Sequence, residues 1–411
     1  MRIVIIGTLD TKGVETAFLR ERVAEHGAKP LVIDPGILGE PAIPADVTRE
    51  EIALAGGESL VDLIATEDKA HCQEVMVAGL IRTLSDLWQK GDVDGVVAVG
   101  GAQGTAMATA AMQELPVGIP KVMVSTVACG QTPFGPYVGT KDVTMIHSVG
   151  DILGLNRITG RILAQAAAAV VSMASVTPPE VKKGATVAIT QAGVTTPGVM
   201  AVKSILEQEG FQVIAFHCNG IGGQAMEELV LGGQIQGVID FSPHEIADLL
   251  FDGLMPAHPD RMKAAGRAGI PQVVAPGCTD IQVQGVLEDL PDEFRQRACV
   301  KHSPTYTHVR SSPEEMAAIG AFIAQRLNAG GGPRAAIVPL RGFSMLNREG
   351  KVLYDEAANQ AYVAGLKKAL ASDVRLVKVD AHINDPTFAA ATAALFLELQ
   401  GQGDDHGRET G

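Results

Sequence analysis

The chain has 411 residues, which is too long for one ordinary hydrophobic core and predicts two domains. Its 33 Lys and Arg against 47 Asp and Glu give a net charge of −14, which argues against a nucleic-acid partner, because phosphate binding needs clustered positive charge. The five cysteines are widely spaced without a CxxC pair, and no apolar run would span a membrane, so we expect a cytoplasmic protein without disulfides or structural zinc.

Short runs of apolar, often β-branched residues alternate with amphipathic helical patterns along the chain. Strands of this continuous apolar type are buried on both faces, which indicates parallel sheets covered by helices. We therefore predict an α/β fold with mainly parallel sheets. The predicted strands cover residues 2–6, 29–33, 93–99, 121–124, 185–189, 212–216, 237–239, 271–274, 334–338 and 374–379.

A Pro-Pro pair followed by a basic pair marks a connection in SMASVTPPEVKKG, at residues 172–184. The boundary predicted there separates an N-terminal domain, residues 1–177, from a C-terminal domain, residues 178–400. The last residues, GQGDDHGRETG at 401–411, are polar and Gly-rich, and their composition predicts a disordered tail.

The two halves resemble each other in three pairs of segments. These are EHGAKPLVID and QEGFQVIAFH, GDVDGVVAVGG and GGQIQGVIDFS, and GIPKVMVSTVACG and GIPQVVAPGCTD. Each half is predicted to repeat one β–α–β plan, and the first half carries about 40 extra residues within 40–90. That insertion has helical periodicity at 60–64 and 75–87, which makes it a candidate lid or interface.

The segment DGVVAVGGAQGT, at residues 94–105, runs from an apolar strand into a glycine-rich turn, and a helical pattern follows at 106–115. Glycines allow the backbone to approach a ligand, and the first N–H groups of the helix point at it, so the segment predicts a phosphate site. It matches neither a Walker A loop nor GxGxxG. The alternative is a turn that needs glycine only for packing.

Polar residues follow the first-half strands, where doubly wound sheets bind ligands. There Lys12 would pair with a phosphate and Asp10 would reach Mg²⁺, unless Asp10 and Thr11 merely cap a helix that starts near Val14. The group comprises Thr8, Asp10, Thr11, Lys12, the 100–105 loop, Ser125, Thr126, Gly130, Gln131 and Thr132.

A second group of polar residues follows the second-half strands, and its His and carboxylate side chains suit acid–base chemistry or a metal. No spacing diagnostic of a metal site such as HExxH occurs, so the metal stays unknown, and a pocket for a small anion with Arg341 as its cation is the other reading. A histidine that ends a strand also commonly bonds the next turn. The group comprises Thr190, residues 193–197, His217, Asn219, Ser242, His244, Glu245, Cys278, Asp280, His302, His308, His382 and Asp385.

Seven motifs along nearly the whole chain resemble one family in the same order: GTLDTKGVE, GGAQGT, GIPKVMVSTVACGQT, YVGTKD, GVTTPGVMAVK, FHCNGIGGQAMEELVLGGQIQGVID and HINDPTFA. They are similar to the ATP-binding domain family of the tomato mosaic virus resistance protein and its bacterial relatives. The resemblance implies two Rossmann-like subdomains, dimerisation, and ATP bound by the N-terminal subdomain. By motif position, the implied nucleotide-site residues are Thr8, Asp10, Lys12, Gly100, Gly101, Gly104, Thr105, Ser125, Thr126 and Gly130.

Three functions compete at this point. In the first, an enzyme holds ATP with Mg²⁺ on the first subdomain and a small anionic metabolite in an interdomain cleft. The catalytic residues would be His217, Glu245, Asp280 and His382. In the second, a non-catalytic ATP-binding dimer regulates or inhibits a partner protein. In the third, a metal-dependent hydrolase or lyase uses the glycine loop for a substrate phosphate. The helix at 158–174 has a broad apolar surface, which would pack against a second subunit or against the other subdomain, and we expect a homodimer.

Overall fold

The computed structural model describes residues 1–129, 135–178, 180 and 184–409, with side chains to residue 401. The chain divides into two compact units, unit 1 at Met1–Pro179 and unit 2 at Glu180–Gly411. No helix among the described residues has both the length and the apolar character that crossing a bilayer requires.

Unit 1 is a five-stranded parallel sheet with helices on both faces. Its strand order is β2-β1-β3-β4-β5, so the order reverses between β1 and β3. Its elements are β1 (Arg2–Ile6), α1 (Leu9–Glu25), β2 (Lys29–Ile33), α2 (Arg49–Gly56), α3 (Leu60–Ala65), α4 (Lys69–Gln89), β3 (Gly95–Gly100), α5 (Ala102–Gln113), β4 (Lys121–Ser125), α6 (Gly135–Val138), β5 (Val143–His147) and α7 (Thr159–Ala174).

Successive residues of β1 point to opposite faces of the sheet, and both faces are buried. Val4 and Ile6 pack in one core with α2–α5, whereas Ile3 and Ile5 pack in another with α1 and α7. This two-sided burial explains why the strand reads as a continuous apolar run.

Unit 2 has a six-stranded parallel sheet in the order β14-β13-β9-β8-β6-β7 and a separate three-stranded antiparallel sheet in the order β10-β12-β11. Its elements are β6 (Thr186–Gln191), α8 (Thr196–Gln208), β7 (Gln212–His217), α9 (Ile221–Leu231), β8 (Gly237–Asp240), α10 (Glu245–Leu250), α11 (Ala264–Ala268), β9 (Gln272–Val274), β10 (Ile281–Gln284), α12 (Asp292–Arg295), β11 (Cys299–Lys301), β12 (Thr307–Arg310), α13 (Pro313–Ala329), β13 (Arg334–Pro339), α14 (Glu356–Ala369), β14 (Arg375–Val379) and α15 (Pro386–Glu409). Short 3-10 turns cover Gly193–Thr195 and Leu287–Asp289.

The predicted α/β class with mainly parallel sheets is confirmed, while the interdomain cleft stays a prediction. The internal repeat is also confirmed, because β7-β6-β8-β9-β13 of unit 2 repeats the order β2-β1-β3-β4-β5. The three pairs of similar segments fall on β2 and β7, β3 and β8, and β4 and β9. The insertion holds α2, α3 and α4. Helix α15 continues to Glu409, into the segment predicted to be disordered.

One predicted helix start was wrong, and one pair of predicted caps was wrong. Helix α5 begins at Ala102 and not at 106, because Gly101 already has the extended backbone of an N-cap. Helix α1 begins with one turn at Leu9 and is kinked at Lys12, so regular helix resumes at Gly13, close to the start predicted near Val14. Asp10 and Thr11 do not cap it, because Asp10 Oδ2 accepts from Leu38 and Gly39, and the Thr11 hydroxyl contacts that of Thr8.

Candidate functional site

The ends of β1, β2 and β3 border a cavity of about 270 Å³ in unit 1. It lies beside the point at which the strand order reverses, the usual ligand position in doubly wound sheets. Its walls come from the segments after β1 and β2, the first turn of α5, and α4 of the insertion. They comprise Thr8, Asp10, Thr11, Lys12, Pro35, Gly36, Ile37, Leu38, Cys72, Gln73, Met76, Gly101, Ala102, Gln103, Gly104 and Met107.

Two helix N-termini meet this cavity. Neither Thr8, the N-cap of α1, nor Gly101, the N-cap of α5, makes a side-chain capping bond. The first N–H groups of a helix have no intrahelical acceptor, and the helix dipole makes this end positive. In α1, Asp34 Oδ1 already accepts the Leu9 N–H, and the Thr8 carbonyl oxygen accepts the N–H groups of Thr11 and Lys12. The N–H donors and partial positive charge for an anion in the cavity therefore come mainly from the first turn of α5.

Two glycines at the start of α5 have different surroundings: Gly100 is closely packed, and Gly104 borders the open cavity. A Cβ at Gly100 would lie 3.0 Å from the backbone of Gly104, so a side chain there would push the strand end away from the helix. A Cβ at Gly104 would meet nothing closer than the Val99 carbonyl oxygen at 3.9 Å. Gly104 therefore has room for a side chain, which would occupy the space that a ligand needs.

One carboxylate, Asp10, lines the cavity, and a second, Asp34, lies buried near it. Asp10 Oδ2 accepts the N–H groups of Leu38 at 2.6 Å and Gly39 at 3.2 Å, while its buried Oδ1 has no hydrogen-bond partner among the described residues. Asp34 Oδ1 accepts the N–H groups of Leu9 at 3.0 Å and Gly36 at 2.8 Å. Burial raises the pKa of the Asp34 carboxyl, and the nearby Asp10 acts in the same direction. A cation would relieve this repulsion.

The ammonium of Lys12 is held at the side of the cavity. Lys12 departs from helical geometry within α1, with φ −127° and ψ 22°, and its Nζ donates to the Ile152 carbonyl oxygen at 2.5 Å. A lysine side chain retains two further N–H donors in this arrangement. It is therefore placed to act as a point charge towards an anion.

The other predicted nucleotide-site residues lie around the cavity without lining it. Thr105 and Ser125 are both buried, and their hydroxyl oxygens lie 2.6 Å apart, which joins α5 to the end of β4. The Thr126 N–H donates to the Gly100 carbonyl oxygen at 3.3 Å. Gly130 lies outside the described residues. Those that line the cavity are Thr8, Asp10, Lys12, Gly101 and Gly104.

Residues that the sequence argument missed form the opposite wall. The loop after β2 could have been found, because it also follows a strand of the same sheet edge. Cys72, Gln73 and Met76 could not, because only the packing of the insertion brings α4 there. The insertion was predicted as a lid or interface, and α4 is in fact a wall of the cavity.

Unit 2 has a cavity at the equivalent strand ends, of about 350 Å³, bordered by β6, β7, β8 and β9 and by the antiparallel sheet. Its lining mixes apolar side chains with imidazoles and thiols. The lining residues are Ala192, Gly193, Val194, His217, Cys218, His244, Met255, Cys278, Ile281, Val283, His302, Tyr306 and His308. Within the described part of the chain, no group of three His, Cys, Asp or Glu is arranged to hold a metal ion.

The four residues predicted to be catalytic do not meet at this cavity, and only His217 lines it. Glu245 is buried, and its carboxylate accepts from Arg261 Nε at 2.5 Å and from the Gly220 N–H at 2.6 Å. Its charge is thus balanced inside the protein. Arg341, the expected cation for an anionic substrate, pairs with Asp380 at the surface.

Asp280 and His382 come together at a different place. Both are buried, and both contact Ser344: Asp280 Oδ2 accepts from the Ser344 hydroxyl at 2.8 Å, and His382 Nε2 lies 2.9 Å from the Ser344 carbonyl oxygen. Because a carbonyl only accepts, Nε2 carries the hydrogen, and Nδ1 accepts the Asn384 N–H at 3.2 Å. With both ring nitrogens engaged, His382 holds the loop after β13.

Comparison with known proteins assigns the family. Models of the N-terminal and C-terminal domains of UPF0261, an uncharacterised protein family, match residues 1–179 and 184–400. The chain belongs to the UPF0261 family. It is 40% identical over 400 residues to a UPF0261 protein of Clostridium tetani, covering 97% of this chain and 98% of that protein.

Two other UPF0261 relatives show the same collinear match. A UPF0261 protein of Rhizobium meliloti is 37% identical and covers 97% of this chain and 99% of its own length. The ToMV resistance protein Tm-1(GCR237) of Solanum lycopersicum is 34% identical over 428 residues, which are 97% of this chain and 56% of that protein. The predicted relationship to the tomato mosaic virus resistance protein and its bacterial relatives is therefore confirmed, and the ATP binding that the resemblance implies stays a prediction.

Proposed function

We propose that unit 1 binds a nucleotide, ATP with Mg²⁺, in the cavity between α1 and α5. The observation that carries the proposal is the N-terminus of the 12-residue helix α5, which borders one cavity with the polar residues after β1 at the reversal of strand order. Phosphates suit such a place, because the first N–H groups of α5 and its helix dipole act on the same anion.

The remaining walls suit the other parts of a nucleotide. Ile37, Leu38, Met76 and Met107 provide an apolar surface for a base, and Lys12 provides a charge for the phosphates. Mg²⁺ in proteins is commonly held by one or two carboxylates together with substrate phosphates, and it neutralises their charge. Asp10 would hold it through Oδ1, which has no hydrogen-bond partner among the residues that the structure describes.

The proposal is limited to nucleotide binding, because Glu245, Asp280 and His382 have interior partners in place of a substrate. The same cavity would serve either an enzyme that consumes ATP in its reaction or a non-catalytic dimer that regulates a partner protein. Release of ADP or AMP by purified protein, followed over a panel of metabolites, separates the two. Binding of a phosphorylated metabolite in place of ATP would favour the hydrolase or lyase alternative.

The variant Gly104→Val tests the cavity directly. The new side chain would occupy the space next to the first turn of α5 without meeting backbone closer than 3.9 Å at its Cβ. We expect a folded protein whose ATP affinity, measured by calorimetry with Mg²⁺, falls by at least about 100-fold.

Gly160→Val is the matched control, because a Cβ at Gly160 meets nothing within 4 Å and Gly160 does not line the cavity. It should bind ATP as the parent protein does. Unchanged ATP affinity in folded Gly104→Val would place the nucleotide elsewhere and refute the proposal.

A further inference from the structure

The unit 2 cavity has polar walls without fixed charge. Among the described residues that line it, none is Lys, Arg, Asp or Glu, and the polar side chains are four histidines, a tyrosine and two cysteines. The rest of the surface is apolar, with Val194, Ile281 and Val283 among the contacts. A ligand that fits these walls has an apolar body and groups that form hydrogen bonds.

His244 offers the first of these hydrogen bonds. The ring is 4% exposed, and its Nδ1 lies 3.2 Å from the Cys278 carbonyl oxygen, so Nδ1 donates. In the neutral ring Nε2 is then an acceptor, and it has no hydrogen-bond partner in the described structure. Asp248 Oδ2 is 3.7 Å away and already accepts the Met255 N–H at 2.9 Å.

His308 offers a second unpaired nitrogen. It lies on β12, is 9% exposed, and its buried Nδ1 lacks a hydrogen-bond partner among the described residues. Its ring stacks on that of His302 with centroids 4.3 Å apart and planes 15° apart. Burial lowers the pKa of the His308 imidazole to about 4, so this ring is neutral at pH 7. Leaving such a buried group unpaired costs stability, which a bound hydrogen-bond partner would recover.

The position of the cavity supports a ligand site as well. It lies at the ends of β6 and β8, between which the strand order of the unit 2 sheet reverses, as it does between β1 and β3 in unit 1. The antiparallel sheet supplies Ile281, Val283 and His308 to the same cavity. Both sheets therefore contribute to one enclosed surface.

We propose that this cavity binds a small uncharged molecule that carries hydroxyl groups, which hydrogen-bond to His244 and His308 while its apolar face contacts Val194, Ile281 and Val283. A carboxylate or phosphate would be buried there without a cation, which is costly. A hydroxyl both donates and accepts, so it matches a neutral imidazole in either role. This site is independent of the nucleotide proposed for unit 1.

The test uses the full chain and probes of matched shape. Cyclohexanol and cis-1,2-cyclohexanediol carry hydroxyls, whereas cyclohexanecarboxylate and cyclohexylamine carry opposite charges on the same ring. We expect ligand-observed NMR at neutral pH to show binding of the two alcohols, with the charged probes at least about tenfold weaker. Long-range ¹H–¹⁵N spectra of the imidazoles should shift when the alcohols bind.

Two variants locate the binding. Val194→Phe fills the cavity from its wall and should abolish alcohol binding, and His308→Leu removes the ring nitrogens and should weaken it at least about tenfold. His26→Gln, an exposed histidine of unit 1, should bind as the parent does. If His308→Leu does not fold, Val194→Phe and the matched probes still show whether the alcohols bind in this cavity.

Three results would overturn the proposal. One is a carboxylate that binds as tightly as the alcohols, another is undiminished alcohol binding in folded Val194→Phe, and the third is Zn²⁺ binding lost in His308→Leu without any alcohol binding. The Gly104→Val protein should no longer bind ATP but should bind the alcohols as the parent does. The failure of one site is therefore distinguishable from the failure of the other.

Discussion

At the scale of single residues, the interior of unit 2 holds one guanidinium among three carboxylates. Arg261 is 1% exposed and pairs with Asp240, with Glu245 at 2.5 Å and with Glu227 at 3.3 Å. Asp240 also accepts from Gln272 at 2.9 Å. The network joins β8, α9 and α10. The carboxylates outnumber the guanidinium, so one of them gains by holding a proton.

Glu227 is that carboxyl, and it makes stability depend on pH. Burial raises its pKa from an ordinary 4.5 to about 7. Between these values the folded state binds the proton more tightly than the unfolded chain, so the Glu227 contribution to the free energy of unfolding falls as pH rises and levels above about pH 7. Glu227→Gln should remove a difference of about 3 kcal/mol across this range.

Urea unfolding from about pH 5 to 8 measures the effect. Glu209→Gln changes an exposed glutamate of the same unit and should leave the pH dependence unchanged. If the free energy of unfolding depends on pH in the same way for Glu227→Gln and the parent protein, the Glu227 carboxyl is ionised throughout this range.

At the scale of elements, α2 and α4 pack at very close distance because glycines face each other. A Cβ at Gly79 would overlap the Ile52 carbonyl oxygen, and one at Gly56 would overlap the Val75 carbonyl oxygen. The same helix α4 forms a wall of the unit 1 cavity through Cys72, Gln73 and Met76. The spacing of the two helices therefore sets the width of the site.

Gly79→Ala should push α4 away from α2. We expect a loss of about 1–3 kcal/mol in stability, the usual cost of overpacking, together with weaker ATP binding. Thermal unfolding and calorimetry measure the two effects. Glu74→Ala, on the exposed face of α4, should change neither. Normal ATP affinity in Gly79→Ala would show that the cavity does not depend on the position of α4.

The strands and helices that could be predicted were those whose own residues show a recognisable apolar pattern. Each predicted strand overlaps a strand of the structure because it is an apolar, β-branched run. Strands β5, β10, β11 and β12 were missed because each mixes polar and apolar residues within only three to five positions. Helix α2 was missed although Thr48 and Glu51 form a capping box.

The candidate site could be predicted only in part. Polar residues after a strand mark the correct sheet edge, which located Thr8, Asp10 and Lys12. Whether such a residue faces a cavity or the interior depends on partners far along the chain. The Glu245 carboxylate accepts from Arg261, and the Asp280 carboxylate accepts from the Ser344 hydroxyl. The residues next to Glu245 and Asp280 in the sequence do not indicate either partner.

At the scale of the whole molecule, the predicted homodimer would have to form through a surface other than the apolar side of α7. The apolar side of α7 is covered within unit 1 by α1, β3 and β4. Large apolar side chains remain exposed in the segment that leads to α7, namely Val149, Leu153, Leu155 and Ile158. An exposed group of this kind is typical of a contact with another chain.

Leu153 is 77% exposed, and Leu153→Asp should lower the mass measured by light scattering from that of a dimer to that of a monomer. Val61→Asp places the same charge at another exposed position, 79% accessible on α3, and should remain dimeric. A monomer mass for the parent protein at every concentration would reject the homodimer itself.

The insertion between β2 and β3 also has a consequence for how fast the protein folds. In unit 1 the β1–β3 pairing closes the segment 7–94, whereas in unit 2 the equivalent β6–β8 pairing closes the shorter segment 192–236. A loop about twice as long adds on the order of 0.6 kcal/mol to the entropy cost of closure, and long-range pairing slows folding. In refolding from denaturant, the β6–β8 pairing should therefore form faster than the β1–β3 pairing.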